Sequence, residues 1–201
     1  MAITNGYCTA AELKVRLWPS GATVDAVDDT VIEQVVTAVS RWIDEFCATR
    51  FFTTDSDETR YYTAEFNDEL FTDEIVSITK LESDEDGDRT YEVEWAATDY
   101  DLWPYNAGLD SKSYQSIQIT PEGDYGFPVD VKKGVKITGK FGWSKAPAPV
   151  KEACLIQCER IFLRKDAPFG VTGNAELGEL RLIPQLDPDV QQMLFNYQRL
   201  F

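Results

Sequence analysis

The amino-acid sequence predicts an α+β protein, a small α-helical bundle with an antiparallel β-module inserted between its second and third main helices. Two changes of hydrophobic period carry that prediction. Apolar residues recur at helical spacing up to about residue 48, give way to β-branched and aromatic runs over residues 51–143, and return to helical spacing after Pro149. A third observation is the crossing at residues 141–150, FGWSKAPAPV, where a strand passes through a Gly-Trp pair and two prolines into an amphipathic segment. The organisation that follows is residues 1–50 as N-terminal helices, 51–143 as the β-module, and 144–201 as helices, a glycine loop and a tail completing the bundle.

The first helix is announced by Thr9 and Glu12, which have the spacing of a capping box: a hydroxyl accepts from an orphan amide and a glutamate reaches back to the cap. Leu13 and Leu17 share a face, and Pro19, Ser20 and Gly21 end the helix. Residues 29–48 are the strongest helical segment, with Ile32, Val35, Val36, Val39, Trp42, Ile43 and Phe46 on the apolar side. Thr30 and Glu33 again have capping-box spacing, and Asp28 and Asp29 set negative charge at the positive end of the helix dipole.

Strand patterns follow at residues 59–64 (TRYYTA), 75–81 (IVSITKL), 90–95 (TYEVEW), 116–120 (SIQIT) and 134–141 (GVKITGKF), separated by Asp, Gly, Pro and Asn clusters. Residues 84–88, DEDGD, resemble a calcium loop, but the twelfth position of an EF-hand requires a bidentate Glu and here is Trp95. An Asp-Gly hairpin turn is the simpler expectation. At the exit of the module Gly142 permits a sharp turn, Trp143 is expected to plug the junction, and Pro147 and Pro149 hold the link extended.

Val150, Ala153, Cys154, Cys158, Ile161 and Phe162 form the next apolar stripe, closed by Arg160, Arg164 and Lys165 at the negative helix end. Residues 167–179 carry three glycines and a proline, as a surface loop does. GELRLI fits a short strand, and Asp187-Pro188-Asp189 fits a helix start with Asp at N-cap and Pro at the first helical position. Each apolar face needs a partner, so the early long helix is expected to pack on residues 150–165, with the β-module projecting. The glycine loop with Gly170 and Gly173 has little to bury, and Val190, Leu194, Tyr197 and the terminal Phe201 have little chain left to cover them. These residues are therefore the candidate interaction set, with part of their apolar contact on a neighbouring subunit or partner; the competing expectation is that the last helix simply packs on its own bundle.

The 201-residue chain is 43% hydrophobic, enough for a buried core, and its 19 basic against 35 acidic residues give a net charge of −16. Duplex DNA and anionic membranes are repelled at long range. No stretch has the length of a membrane span, and MAITNGYCTAAELK lacks the basic and apolar regions of a secretory signal, so a cytosolic start is expected. The absence of histidine removes the usual general base and any Ser-His-Asp or Cys-His arrangement. Cys8, Cys47, Cys154 and Cys158 lie in or beside apolar helical patterns and read as reduced, buried thiols; Cys154 and Cys158 alone fall short of a closed zinc site. No catalytic group, cofactor or metal is expected.

The order of parts resembles the head-to-tail connector (adaptor, or head-completion) proteins of long-tailed bacteriophages. The elements that carry the resemblance are YCTAAELKVRL, CATRFF, the tyrosine-rich strands, FGW followed by P-x-P-V-x-x-A, a helix ending in basic residues, the glycine loop, and DPDV. The resemblance implies a structural virion protein of the neck, without catalysis, assembled in the host cytoplasm. It also implies a dodecameric homo-oligomeric ring joining the portal protein to stopper or tail-completion proteins, through which DNA passes without sequence-specific binding. On that reading the C-terminal segment meets a neighbouring subunit or the portal. The β-module is larger than in minimal members of that family. Two other readings compete: a carbohydrate-binding module using Trp95, Tyr100, Trp103 and Tyr105, and a hydrolase using a carboxylate pair, for which the sequence singles out no pair.

Overall fold

A computed structural model describes residues 3–18, 26–110, 112–121, 123, 125–164, 171–172, 180–181 and 185–199. The chain divides into two units, Arg50–Lys145 and the combination of Met1–Thr49 with Ala146–Phe201. Among the described residues no helix is long and apolar enough to cross a membrane.

The first of these units is a sheet of β1 (Glu58–Tyr62), β2 (Glu69–Ser83), β3 (Val93–Glu94), β4 (Tyr100–Trp103), β5 (Tyr114–Ile119) and β6 (Val135–Phe141), in the order β1-β6-β2-β5-β4 with β3 paired to β2. Every pairing is antiparallel. In β6 buried and half-buried residues alternate strictly, and Val135, Ile137 and Phe141 enter the core with Leu70, Ile75, Leu81, Trp95 and Ile117. The backbone of β2 carries both neighbours: Glu69–Ile75 pairs with β5 and Ile75–Ser83 with β6, with register shifts that let one long strand serve both.

Three expectations change here. Residues 69–74 and 100–103 are strand, although Glu69, Asp73, Glu74 and Asp101 interrupt the apolar pattern: Glu69–Phe71 and Tyr100–Trp103 pair with β5, and the Glu74 carbonyl accepts from the Gly142 amide at 2.7 Å. Residues 90–95 shrink to Val93–Glu94. The Asp-Gly hairpin turn is instead a longer connection between Ser83 and Val93, whose pairing closes it.

At the module's exit Gly142 has φ +100°, and a Cβ there would lie 1.9 Å from the Phe52 carbonyl oxygen, so only glycine fits. Trp143 is buried, its ring 5.3 Å from that of Phe51.

The helical unit contains α1 (Ala10–Leu17), α2 (Ala26–Cys47), α3 (Ala148–Leu163) and α4 (Pro188–Leu194), the last continued by a 3-10 turn at Phe195–Tyr197. A short antiparallel ladder of β7 (Val171–Thr172) and β8 (Leu180–Arg181) realises the GELRLI strand at two residues. The capping box at α1 is formed: Thr9 Oγ1 accepts from the Glu12 amide at 3.2 Å and the Glu12 carboxylate accepts from the Thr9 amide at 3.0 Å. At α2 the expected cap fails. The helix begins at Ala26, which leaves Thr30 inside it, while Asp28 and Asp29 do occupy the first turn. For α3, Pro147 is the N-cap and Pro149 already lies in the first turn, where its missing amide would be unpaired in any case. Asp187 caps α4, accepting from the Asp189 amide at 3.0 Å, with Pro188 at the helix start.

Packing of α2 on α3, of α1 on both and of α4 on α3 buries Leu13, Ile32, Val36, Ile43, Val150, Cys154 and Phe162. Each such large apolar side chain contributes about 1.5–3 kcal/mol by leaving water. Arg16 ties α1 to α3 through Glu152 and Glu159, both at 2.6 Å. The amide of Arg199 donates to the Cys47 carbonyl at 2.9 Å, which fastens the C-terminal segment to the end of α2.

Candidate functional site

Of the interaction residues expected in the C-terminal segment, Val190 and Leu194 are fully buried in the helical unit, where α4 packs on α3. Their apolar surface is satisfied within the chain, so neither offers a face to a partner. Tyr197 is half-buried; Gly170, Gly173 and Phe201 lie outside the described residues. The outward apolar group of this segment is Phe195, 66% exposed. Sequence reading missed it because Phe195 adjoins Leu194, and only the packing direction of α4 decides which of the two faces water.

A second feature belongs to the sheet unit, a groove of about 460 Å³ lined by Tyr61, Arg89, Tyr91 and Lys133. Antiparallel pairing of β1 with β6 sets Tyr61 opposite Lys136. The two tyrosine rings stand 5.9 Å apart, tilted by 40°. Lys133 Nζ lies 5.9 Å from the centre of the Tyr61 ring and Lys136 Nζ 5.3 Å from that of Tyr91, both within cation–π range. Hydrogen bonds hold the walls in place: Arg89 Nη1 donates to the Lys132 carbonyl at 2.6 Å, the Tyr91 hydroxyl to the Lys133 carbonyl at 2.8 Å, and the Lys133 amide to Thr63 Oγ1 at 3.0 Å. Arg89 and Lys133 have φ of +75° and +58°. Such left-handed backbone is uncommon for residues with a side chain and persists only where the surroundings impose it.

Charge in the groove is uneven. Lys136 is neutralised by Glu82 at 2.9 Å, and Glu82 also pairs with Lys80 at 2.8 Å. Burial works against the Glu82 charge, but Lys80 and Lys136 outweigh it and hold the carboxyl below its ordinary 4.5. Among the described residues, neither Arg89 nor Lys133 forms an ion pair with a carboxylate. In a chain of net charge −16 these are two available cations side by side.

Beside the groove, Asp84, Asp86, Asp88 and Glu92 bring carboxylate oxygens within 4.8 Å of one another. An all-oxygen set of this kind suits a hard cation such as Ca²⁺. The loop already uses much of it internally: Asp84 accepts from the Gly87 and Arg89 amides at 2.7 and 2.9 Å, Asp86 from the Asp88 amide at 3.1 Å, and Asp88 from the Thr90 amide at 2.6 Å. Desolvation opposes the Asp84 charge, and the Arg89 and Gly87 amides more than offset it, so its carboxyl titrates below the ordinary 3.8.

In the helical unit the thiols of Cys8, Cys154 and Cys158 converge, with Cys154 Sγ 3.6 Å from Cys8 Sγ and 3.8 Å from Cys158 Sγ. Sequence spacing paired the last two but could not supply Cys8, which comes from 146 residues away. Hydrogen bonds with Cys158 and then Cys8 pull Cys154 down to about 4, while the interactions of Cys158 with Cys154 and then Cys8 push Cys158 up. Cys47 stands apart, and burial raises it to about 12. All four cysteines are free and buried.

Trp95, the first residue of the supposed sugar platform, is a core residue, stacked 4.7 Å from Phe127, and its indole N–H donates to Ser83 Oγ at 3.0 Å. Trp103 and Tyr105 are exposed without it.

The class that these features define is an α+β protein whose helical unit is interrupted by an antiparallel sheet bearing a cationic, aromatic groove. In fold the chain is similar to a solved chain described as "Neck of empty GTA particle computed with C6 symmetry", with a TM-score of 0.56 and 14% identity, covering 100% of this chain and 94% of that one. At that identity the likeness is one of fold. No family model and no curated protein matches the chain.

Proposed function

We propose that this chain is a structural component of the neck of a phage-like particle, a dodecameric ring between the portal at the capsid vertex and the stopper or tail-completion proteins. The observation that carries the reading is the fold likeness to a neck chain over 100% of this chain and 94% of that one, helices and inserted sheet together. That neck was computed with C6 symmetry, and a dodecameric ring can carry a sixfold axis. The role is architectural rather than catalytic. A net charge of −16 fits a lumen through which DNA must slide, since an acidic wall repels the polyanion over a screening length of about 8 Å at physiological salt.

On this reading the isolated chain stays monomeric or in small mixed oligomers and closes into a ring on the portal, in the host cytoplasm. Phe195 and Tyr197 supply the C-terminal contact to a neighbouring subunit or the portal. Mass measurement of the chain mixed with its portal at micromolar concentration tests this. A high-mass complex holding many copies is expected, and Phe195→Asp should weaken it while leaving the melting temperature of the free chain intact. Absence of any such complex with the unsubstituted chain would end the connector reading.

A further inference from the structure

We propose that the groove formed by Tyr61, Arg89, Tyr91 and Lys133 is a docking site for a short, carboxylate-rich segment of a partner protein. The first argument is the distribution of charge. Three of the four cations on the strands of the same sheet are spoken for, Arg60 by Glu58 and Asp73, Lys80 by Glu82 and Glu94, Lys136 by Glu82, and Lys140 of β6 is the fourth. That Arg89 and Lys133 meet none among the described residues, and line one groove, leaves an unmatched positive site on a negative molecule.

The second argument is preorganisation. Arg89 spends one of the five N–H donors of a guanidinium on the Lys132 carbonyl, which fixes the group while the others remain for a ligand. The backbone of Lys133 is clamped from both sides, its amide by Thr63 Oγ1 and its carbonyl by the Tyr91 hydroxyl. Residues held in left-handed backbone by such clamps lose little further freedom on binding.

The third argument selects the ligand. A guanidinium fork matches a carboxylate with paired, charge-assisted bonds, and a nearby ammonium takes the next one along. The tyrosine rings, with Tyr61 48% exposed, provide apolar walls for the methylene groups of glutamate side chains. A volume of about 460 Å³ holds a few side chains. Nucleic acid fits less well: a long phosphate chain meets more of the net charge of −16, to which the exposed Asp86, Asp88 and Glu92 contribute.

The test uses the full chain and a fluorescein-labelled hexaglutamate peptide, followed by fluorescence anisotropy at low salt, with a single-stranded oligonucleotide of equal charge as the second probe. Saturable peptide binding is expected, weakening as salt rises. The Arg89→Gln, Lys133→Gln double variant should lose about tenfold or more in affinity, the scale of losing charge-assisted bonds, whereas Lys112→Gln, an exposed cation outside the groove, should not. A second readout needs no variant: on titration of the unsubstituted chain with the peptide, amide NMR shifts should concentrate at Thr63, Arg89, Tyr91 and Lys133. No binding at about 1 mM, equal binding to the double variant, shifts centred elsewhere, or tighter binding of the oligonucleotide would each overturn the proposal. None of these results depends on a portal or a ring, so the neck reading stands or falls separately.

Discussion

The sheet unit is drawn from one continuous stretch, Arg50–Lys145, whereas the helical unit exists only when Met1–Thr49 meets Ala146–Phe201. Their cores show the difference. Those of the sheet unit include Leu70, Ile75, Ile117 and Phe141, which pair within that stretch. In the helical unit Cys8 and Leu13 from one end of the chain are buried together with Val190 and Leu194 from the other. Ion pairs follow the same division. The helical unit spends its cations on stitching distant segments, Arg16 to Glu152 and Glu159, Lys151 to Glu12, Arg160 to Asp187. The sheet unit leaves Arg89 and Lys133 unspent. The contrast teaches that the terminal segments are structural closures of the helical unit, and that the insert, built from one continuous stretch, is where an exposed cationic groove is held.

The comparison breaks most readily at α4. A chain ending at Leu163 lacks Leu186, Val190 and Leu194, all buried. It should lose the cooperative unfolding of the helical unit while the sheet unit unfolds as before, when the two are followed by calorimetry. Leu194→Ala alone should cost about 2–5 kcal/mol, and the truncation more. Retention of the full melting profile by the shortened chain would mean that the last helix is an assembly arm rather than a closure.

Trp143→Ala probes the other side. Its ring is 7% exposed and packs on Phe51, so about 3–5 kcal/mol of stability should go, read by denaturant unfolding and confined to the sheet unit's transition. A loss below about 1 kcal/mol would show that the core of this unit closes without Trp143.

The smallest effect is electrostatic. Glu82 has a folded carboxyl value below its ordinary 4.5, despite burial, because Lys80 and Lys136 favour the charged form. A lowered carboxylate stabilises the fold above the unfolded value and loses that contribution as pH falls through 4.5 toward the folded value. The melting temperature of the sheet unit should therefore drop over this window, and Glu82→Gln should flatten the drop while lowering stability near neutrality. An unchanged slope in the variant would assign the acid sensitivity to other carboxylates.

Helix caps and strict alternation were legible because their physics is local. Thr9 and Glu12 lie three residues apart and bond each other's backbone, Asp187 and Pro188 do the same work within one turn, and Val135, Ile137 and Phe141 keep a period of two over the whole of β6. Locality also explains the misplaced start of α2: Thr30 and Glu33 have the right spacing, but nothing near them reveals that the helix has already begun at Ala26. Where acidic residues interrupt the apolar pattern, as at Glu69 of β2, pairing with a strand more than 40 residues away decides the conformation.

What the sequence by itself determined is therefore the class: helices, an antiparallel insert and helices again, because hydrophobic period records which backbone geometry can bury one face. It also determined the charge, and with it the long-range repulsion of duplex DNA. Which faces are covered was decided only by the tertiary structure. Val190 and Leu194 carry the same apolar signal whether they meet α3 or a partner, and only the fold turns them inward and leaves Phe195 outside. Tyr61, Arg89, Tyr91 and Lys133 carry no joint signal along the chain, since their proximity follows from strand register and from two loops held in left-handed backbone. Contacts between residues far apart in sequence are set by the free energy of the whole packed unit, which no local window contains.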